Sequence, residues 1–368
     1  MEVDIKKFAN YVRGVSANIF YNNPSKHLKV IGVTGTDGKT TTSNIIYHIL
    51  QSSGIKTGLV STVNAKIGKN EYDTGFHVTN PGPFQLQKLL KKMVDKELEY
   101  AVLEVTSHGL DQSRNFGIKF DIGVLTNITH EHLDYHKTFE KYIKAKAKLF
   151  QNSMISIINS DYYKFFKKYI NKNQKVILYN QKSLNSGLLD VVNLKFKESY
   201  NVLNATAAIL VAKEVGVSDL KIIKAIRTFK GVEGRMQEIK NKLGLKIIVD
   251  FAHTPNALEN LLIALKKNRQ SLSLRGKDKK TRIITVFGCA GERDVKKRPM
   301  MGEISTRLSD VSIFTAEDPR REDVNEIIKQ MKIGIKNKKA KVFEMPDRLE
   351  AIRHAIKIAK KGDTVVFC

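Results

Sequence analysis

Short apolar runs alternate with amphipathic stretches along most of the chain. Residues 29–34 (KVIGVT) have the unbroken apolar character of a strand buried on both faces. Residues 39–53 follow at helical period, with Gly54 as a stop. Further strands are predicted at 100–105 (YAVLEV), 121–127 (DIGVLTN) and 155–158, with helices near 85–96 and 138–150. The pattern loosens between Asn180 and Tyr200, and a helix spans about 202–214. Gly231 and Gly234 mark a hinge, after which the alternation resumes. Strands are expected at 246–251, 282–287, 311–315, 341–343 and 364–367, and helices at 255–267, 297–308, 324–333 and 347–360. A charged loop, SLSLRGKDKK, lies between Gln270 and Thr281. This order predicts an α/β protein with mostly parallel sheets and a division near residue 231. The expected parts are a short N-terminal segment (1–28), a central domain (29–232) and a C-terminal Rossmann-like domain (233–368).

Composition narrows the picture. Apolar residues make up 42% of the chain, enough for sizeable cores, yet no run of about 18 apolar residues suggests a membrane span. The polar-interrupted N-terminus does not read as a signal peptide. Cys289 and Cys368 cannot build a disulfide framework or a zinc knuckle, so a reducing cytoplasm is the expected compartment. The net charge of +26 raises the question of nucleic acid. Its lysines are spread along the whole chain, however, and no nucleic-acid motif accompanies them. Solvated faces, or polyanionic small substrates, account for the charge, and neither nucleic acid nor membrane is an expected partner.

The strongest local signal is Gly35-Thr36-Asp37-Gly38-Lys39-Thr40-Thr41, set between a predicted strand and a predicted helix. Glycines let backbone N–H groups approach phosphate oxygens, and a helix N-terminus adds partial positive charge. Lys39 would reach the β and γ phosphates and Thr40 would ligate Mg²⁺. The general phosphate-loop pattern has glycine five residues before Gly38, where this chain has Val33. On its own the loop says nucleoside-triphosphate binding, hence a P-loop central domain.

More segments extend the pattern: Glu104-Val105-Thr106-Ser107-His108-Gly109-Leu110, Thr126-Asn127, His132-Leu133-Asp134-Tyr135-His136 and Tyr142-Ile143-Lys144-Ala145-Lys146. They continue with Gly234-Arg235-Met236, Asp250-Phe251-Ala252-His253-Thr254-Pro255, Gly288-Cys289-Ala290-Gly291-Glu292-Arg293-Asp294, Lys297-Arg298-Pro299 and Asp318-Pro319-Arg320. In content and order this series resembles the Mur ligase family, whose members use a G-T-x-G-K-T loop, and within it the UDP-N-acetylmuramyl-tripeptide synthetases. The resemblance covers roughly residues 29 to 368. It implies an ATP-dependent ligase that activates a carboxylate as an acyl phosphate and joins it to an amine, in peptidoglycan precursor synthesis. Such a reaction brings anions together and needs cations around them.

By residue-level match the resemblance implies Lys39, Glu104, His132 and Lys146 as the catalytic set. Thr40, Glu104, His132 and Lys146, the last as a carbamate formed with CO₂, would serve two Mg²⁺ ions. Asn204 would contact adenine, and Arg235, Asp250 and His253 would complete the ATP site. Thr79, Asn80, Pro81, Ser107, Gln112 and Arg114 match the site for the UDP-muramyl-dipeptide. Asp318, Pro319 and Arg320 match the segment that meets the incoming amino acid. That segment reads D-N-P-R in relatives adding meso-diaminopimelate, so Arg320 favours this substrate while Asp318 departs from the pattern. Only a short stretch precedes the first strand, where relatives carry a uridine-nucleotide domain, and the chain stops before their G-K-G-H-E loop. The expectation is a shortened N-terminus, an incomplete C-terminal domain and a monomer. Lysine-adding, folylpolyglutamate or cyanophycin-type ligases, and a non-catalytic nucleotide-binding scaffold, remain as alternatives.

Overall fold

The computed structural model describes residues 2–74, 80–273, 281–337 and 340–368. Two compact units emerge: Met1–His130 with His136–Lys230, and Glu131–Tyr135 with Gly231–Cys368.

The first unit is built on an eight-stranded sheet. Its strands are β1 (Lys29–Thr34), β2 (Thr57–Val60), β3 (Ala65–Ile67), β4 (Asn70–Tyr72), β5 (Tyr100–Glu104), β6 (Phe120–Leu125), β7 (Ser153–Asn159) and β8 (Lys175–Tyr179), in the order β4-β3-β2-β5-β1-β6-β7-β8. All pairings are parallel except β2–β3 and β3–β4. β1 is central, buried from Val30 to Thr34, which is why it reads as a continuous apolar run. Chain order reverses around it, with β5 on one side and β6 on the other, so the crevice beyond its C-terminal end is a topological switch point. Register aligns Val33 with Glu104 and Thr34 with Leu125, bringing the ends of three strands level.

Helices cover the faces. Lys39–Ser52 packs beside Ser199–Glu214, while Phe139–Gln151 lies near Ser107–Asp111. The N-terminal stretch, expected only as a short segment, forms a 19-residue helix, Glu2–Phe20. It is held through small inward residues: a methyl group on Gly14 would run into Ser113 O and Phe116 Cβ. Tyr11 meets Phe116 edge-on at 5.1 Å. Helices Ser186–Lys195 and Asp219–Thr228 also occupy segments for which the sequence pattern gave no element.

The second unit carries a six-stranded sheet: β9 (Gln237–Ile239), β10 (Lys246–Val249), β11 (Ile283–Phe287), β12 (Val311–Phe314), β13 (Lys341–Glu344) and β14 (Thr364–Phe367). The order is β13-β12-β11-β14-β10-β9, parallel throughout except for β9. Two apolar clusters flank it, one around Leu261, Leu262, Phe287 and Met301, the other around Val286, Ile313 and Val365. The helix expected at 255–267 continues to Ser273, so the start of the expected charged loop is helical, and its remainder at 274–280 lies outside the described residues. At the N-terminal ends of β11 and β14, Arg282 donates to Asp363 through Nε at 3.0 Å and Nη2 at 2.7 Å. Asp363 also accepts from the amides of Arg282 and Lys360, tying the strand starts together.

Candidate active site

The loop after β1 is shaped from outside. Asn127 Oδ1, just past β6, accepts from the amides of Thr36 (3.1 Å) and Asp37 (2.9 Å). Asn127 Nδ2 and Thr126 Oγ1 donate back to Asp37 O at 3.1 and 2.6 Å. Gly38 caps the helix with φ 80°, a left-handed value that costs glycine least. A side chain there would also collide with Asn204 Oδ1, just as one on Gly35 would collide with Thr126 Oγ1. Backbone and carboxamide therefore approach closely enough that only hydrogen fits.

Four of the expected catalytic and metal residues meet at this loop. Lys39 Nζ donates to Thr36 O at 2.7 Å, folding its head over the loop. Thr40 Oγ1 donates to Glu104 Oε1 at 3.0 Å, and Glu104 Oε2 accepts from Thr62 N at 2.9 Å. Glu104 is 3% exposed at the end of β5. Lys146, 1% exposed, extends from its helix to donate to Gly35 O at 2.6 Å and Thr34 Oγ1 at 3.4 Å. Burial pushes its pKa well below 10.5; Lys39 adds to this, and Asp37 and Glu104 oppose it. The neutral amine is thereby favoured.

Among the described residues no group of three or more His, Cys, Asp or Glu could hold a metal. The hydroxyl of Thr40 and the carboxylate of Glu104 nonetheless form the oxygen donor set that Mg²⁺ takes when phosphates and water complete its shell. The residues present fit a Mg–nucleotide at this loop. Asn204 lies against Gly38, with its Nδ2 3.3 Å from Asn201 Oδ1.

The expected muramyl-peptide residues form a buried polar group beside β5. Asn80 is 2% exposed and pairs with Asn115 at 3.2 Å. Arg114 Nη1 donates to Asn80 O at 2.6 Å, while its Nε and Nη2 hold Gln112 Oε1 at 3.0 and 2.7 Å. Ser107 opens the helix Ser107–Asp111, its Oγ buried without a partner among the described residues. Pro81 is buried in the turn before the helix Pro83–Asp95, and Thr79 lies outside the described residues.

The second unit gathers its candidates at the C-terminal ends of β10, β11 and β12. Asp250 Oδ2 accepts from Met236 N at 2.7 Å. The Arg235 guanidinium stacks over Phe251 at 4.7 Å, and His253 packs on the same ring at 4.9 Å. His132 belongs to this unit; its φ of 57° is left-handed, and its carbonyl accepts from Tyr135 N at 3.2 Å. Next to it in the chain, Glu131 meets the buried Lys297 at 3.5 Å, and Lys297 donates to His253 O at 2.8 Å. Arg320, also left-handed at φ 52°, faces Asp318 at 3.5 Å. Glu317, immediately before Asp318, is half-buried, and its partial removal from water raises its carboxyl pKa against the pull of Lys297 and Arg348. Residue types alone did not single out Thr62, Asn115 or Glu131. Their parts depend on backbone amides and on neighbours distant in the chain. Thr126 and Asn127 carried a motif signal, but without an assigned role.

Comparison with known proteins supplies the context. The chain is 39% identical over 370 residues to the Clostridium acetobutylicum protein named UDP-N-acetylmuramoyl-L-alanyl-D-glutamate–2,6-diaminopimelate ligase 1, spanning 95% of this chain and 74% of that one. A solved structure of a UDP-N-acetylmuramoyl-L-alanyl-D-glutamate–2,6-diaminopimelate ligase aligns with a TM-score of 0.60 at 29% identity, over 97% of this chain and 77% of that one. A bifunctional folylpolyglutamate synthase/dihydrofolate synthase from Yersinia pestis aligns with a TM-score of 0.71 at 18% identity, covering 97% and 90%, a likeness of fold alone. Residues 33–212 match the Mur ligase middle domain and residues 234–368 the Mur ligase glutamate ligase domain, so the chain belongs to the Mur ligase family.

Proposed function

We propose that this chain is an ATP-dependent, ADP-forming ligase that adds meso-diaminopimelate to UDP-N-acetylmuramyl-L-alanyl-D-glutamate in peptidoglycan precursor synthesis. The observation that carries the reading is the meeting of Lys39, Thr40, Glu104 and Lys146 around one phosphate-loop backbone. It occurs in a chain 39% identical to a protein named as such a ligase.

Each residue then has a task. The loop amides and Lys39 hold the triphosphate and draw charge from its γ-phosphoryl group as the glutamate carboxylate attacks. Thr40 and Glu104 would hold Mg²⁺, whose charge would offset the repulsion between the two anions. Burial lowers the Lys146 pKa, which favours the neutral amine that CO₂ would convert to a carbamate. That anion would orient a second Mg²⁺. Asn204 supports the adenine side. Asn80, Pro81, Ser107, Gln112 and Arg114, with Thr79, serve the muramyl-dipeptide. Its D-glutamyl carboxylate attacks the γ-phosphorus of ATP, giving an acyl phosphate and ADP; the incoming amine then attacks the acyl carbon, loses a proton and expels inorganic phosphate, leaving the amide.

Asp318 and Arg320 suit the far end of diaminopimelate, which carries both an ammonium and a carboxylate. The planar Arg320 fork matches the carboxylate, Asp318 the ammonium, so each group replaces half of an existing ion pair. Lysine offers only the ammonium. The reading also includes a cytoplasmic monomer; no helix of the described residues is long and apolar enough to cross a membrane.

The test is phosphate release with ATP, Mg²⁺ and the UDP-muramyl-dipeptide, comparing meso-diaminopimelate, L-lysine and no amino acid, with mass spectrometry of the product. Diaminopimelate-dependent release with a tripeptide product is expected. Turnover with lysine alone would overturn the amino-acid assignment, and turnover with neither would overturn the ligase reading.

A further inference from the structure

The second unit contains a buried arginine to which the proposed mechanism gives no task. Arg298 has 0% relative exposure although it begins a helix, Lys297–Leu308, rather than filling an apolar core. Its guanidinium grips Glu322 through both ends, Nη1 to Oε2 at 2.7 Å and Nη2 to Oε1 at 3.0 Å. Nη1 also donates to Gln330 Oε1 at 2.7 Å, and Nη2 to Ala290 O at 3.1 Å. One side chain thus ties together three pieces of chain: the loop after β11, the loop after β12 and the helix Val324–Lys332.

The two loops also touch directly. Gly291 N donates to Asp318 O at 2.8 Å, and a methyl group on Gly291 would overlap Pro319 O. Glu322 N donates to Pro319 O at 2.9 Å, and Glu322 Oε1 accepts from Glu292 N. Glu292 and Arg320, one in each loop, hold φ values of 51° and 52°, a region that side-chain-bearing residues enter at a cost. Such a backbone persists only where its surroundings over-determine it. Here the surroundings are the Arg298–Glu322 pair, which brackets Asp318-Pro319-Arg320 from its C-terminal side.

We infer that Arg298 and Glu322 are positioning residues for amino-acid selection: the bidentate pair fixes the Asp318–Arg320 segment in the geometry that receives the distal end of the incoming amino acid. The inference rests on the substrate reading above for its chemistry, but its mechanical part concerns only this chain. A lysine at position 298 would keep the charge and lose the two-pronged grip, because an ammonium cannot present two parallel N–H groups to one carboxylate.

The experiment combines kinetics with amide hydrogen exchange on the whole chain. Arg298→Lys and Glu322→Gln are each expected to raise KM for meso-diaminopimelate at least tenfold. KM for ATP and for the UDP-muramyl-dipeptide should stay within twofold. Exchange at residues 288–293 and 318–322 should quicken at least tenfold, with the amides of β11 and β12 unchanged. Glu322, 30% exposed, carries the test if Arg298→Lys does not fold. Gln330→Ala removes only the helix-side partner and should shift the amino-acid KM less than twofold. Faster exchange confined to the two loops supports the inference even without turnover of diaminopimelate, a result that would count against the substrate reading instead. Unchanged exchange, or three KM values rising together, overturns it.

Discussion

Replacing Lys146 by methionine should slow ligation roughly 10²–10³-fold while leaving the first unit folded. The two side chains are similar in length, so the change removes an amine from a site only 1% exposed without opening much space. Two hydrogen bonds disappear, to Gly35 O at 2.6 Å and Thr34 Oγ1 at 3.4 Å, each worth about 1 kcal/mol net. Against that loss, folding no longer has to strip an amine of water or of its proton, a relief on the order of 1–3 kcal/mol. The two effects nearly cancel, and the melting temperature should move by only about 2–4 °C for each kcal/mol left over. Activity has no such compensation. Removing one preorganised electrostatic group from a charged transition state costs roughly 10²–10³ in rate. The assay pairs a thermal melt with phosphate release, and adds Lys146→Ala with short-chain carboxylates as a substitute for the carbamate. Burial, aided by Lys39 and opposed by Asp37 and Glu104, lowers the folded pKa below 10.5. Between the folded pKa and 10.5 the unfolded chain holds a proton that the folded chain does not, so stability should rise with pH there. The methionine variant should lack that rise. Full activity in either variant without added carboxylate, or activity lost only in step with a collapse in melting temperature, would refute the reasoning.

Gly38→Ala adds a side chain at φ 80° against Asn204 Oδ1; it should destabilise the first unit by about 1–3 kcal/mol and raise KM for ATP, read by melting and nucleotide titration. For Asp363, burial pushes the pKa up, but hydrogen bonds from Arg282 and from the amides of Lys360 and Arg282 outweigh it and hold the carboxyl below 3.8. That stabilisation is present above the unfolded pKa and lost as pH falls through the folded one, so Asp363→Asn should flatten the acid limb of the melting profile. Arg282→Ala, which leaves the buried carboxylate without its cation, should cost about 3–5 kcal/mol in the second unit, measured by denaturant unfolding. Arg320→Ala should raise KM for diaminopimelate at least tenfold (about 1.4 kcal/mol) and alter lysine use far less; equal effects on both would break the link between Arg320 and the distal carboxylate.

Where the phosphate loop lies, between one strand and one helix, was legible in the local pattern. β1, β14 and the helix Val324–Lys332 fall within a residue of where the apolar pattern places them, because buried parallel strands and amphipathic helices carry strong periodicities. Elements without such a signature stayed hidden. β3 and β4 have three residues each, too few for alternation to register. The helix Glu2–Phe20 turns Phe8, Ile19 and Phe20 outward and packs through Gly14 and Ala17, so its apolar positions do not mark its buried face. Motifs named Glu104 and Lys146 as candidates, but what they touch depends on segments far away in the chain. Lys146 reaches the carbonyl of Gly35 across 111 residues of chain, and Glu104 meets Thr40 across 64. The second meeting follows from sheet register, which levels the ends of β5 and β1, and the first from the packing of the helix Phe139–Gln151 on the sheet. Local pattern fixes what a segment becomes, because its energetics are settled within a few residues. Which segments meet is decided by the packing of a whole sheet, and no local window contains that information.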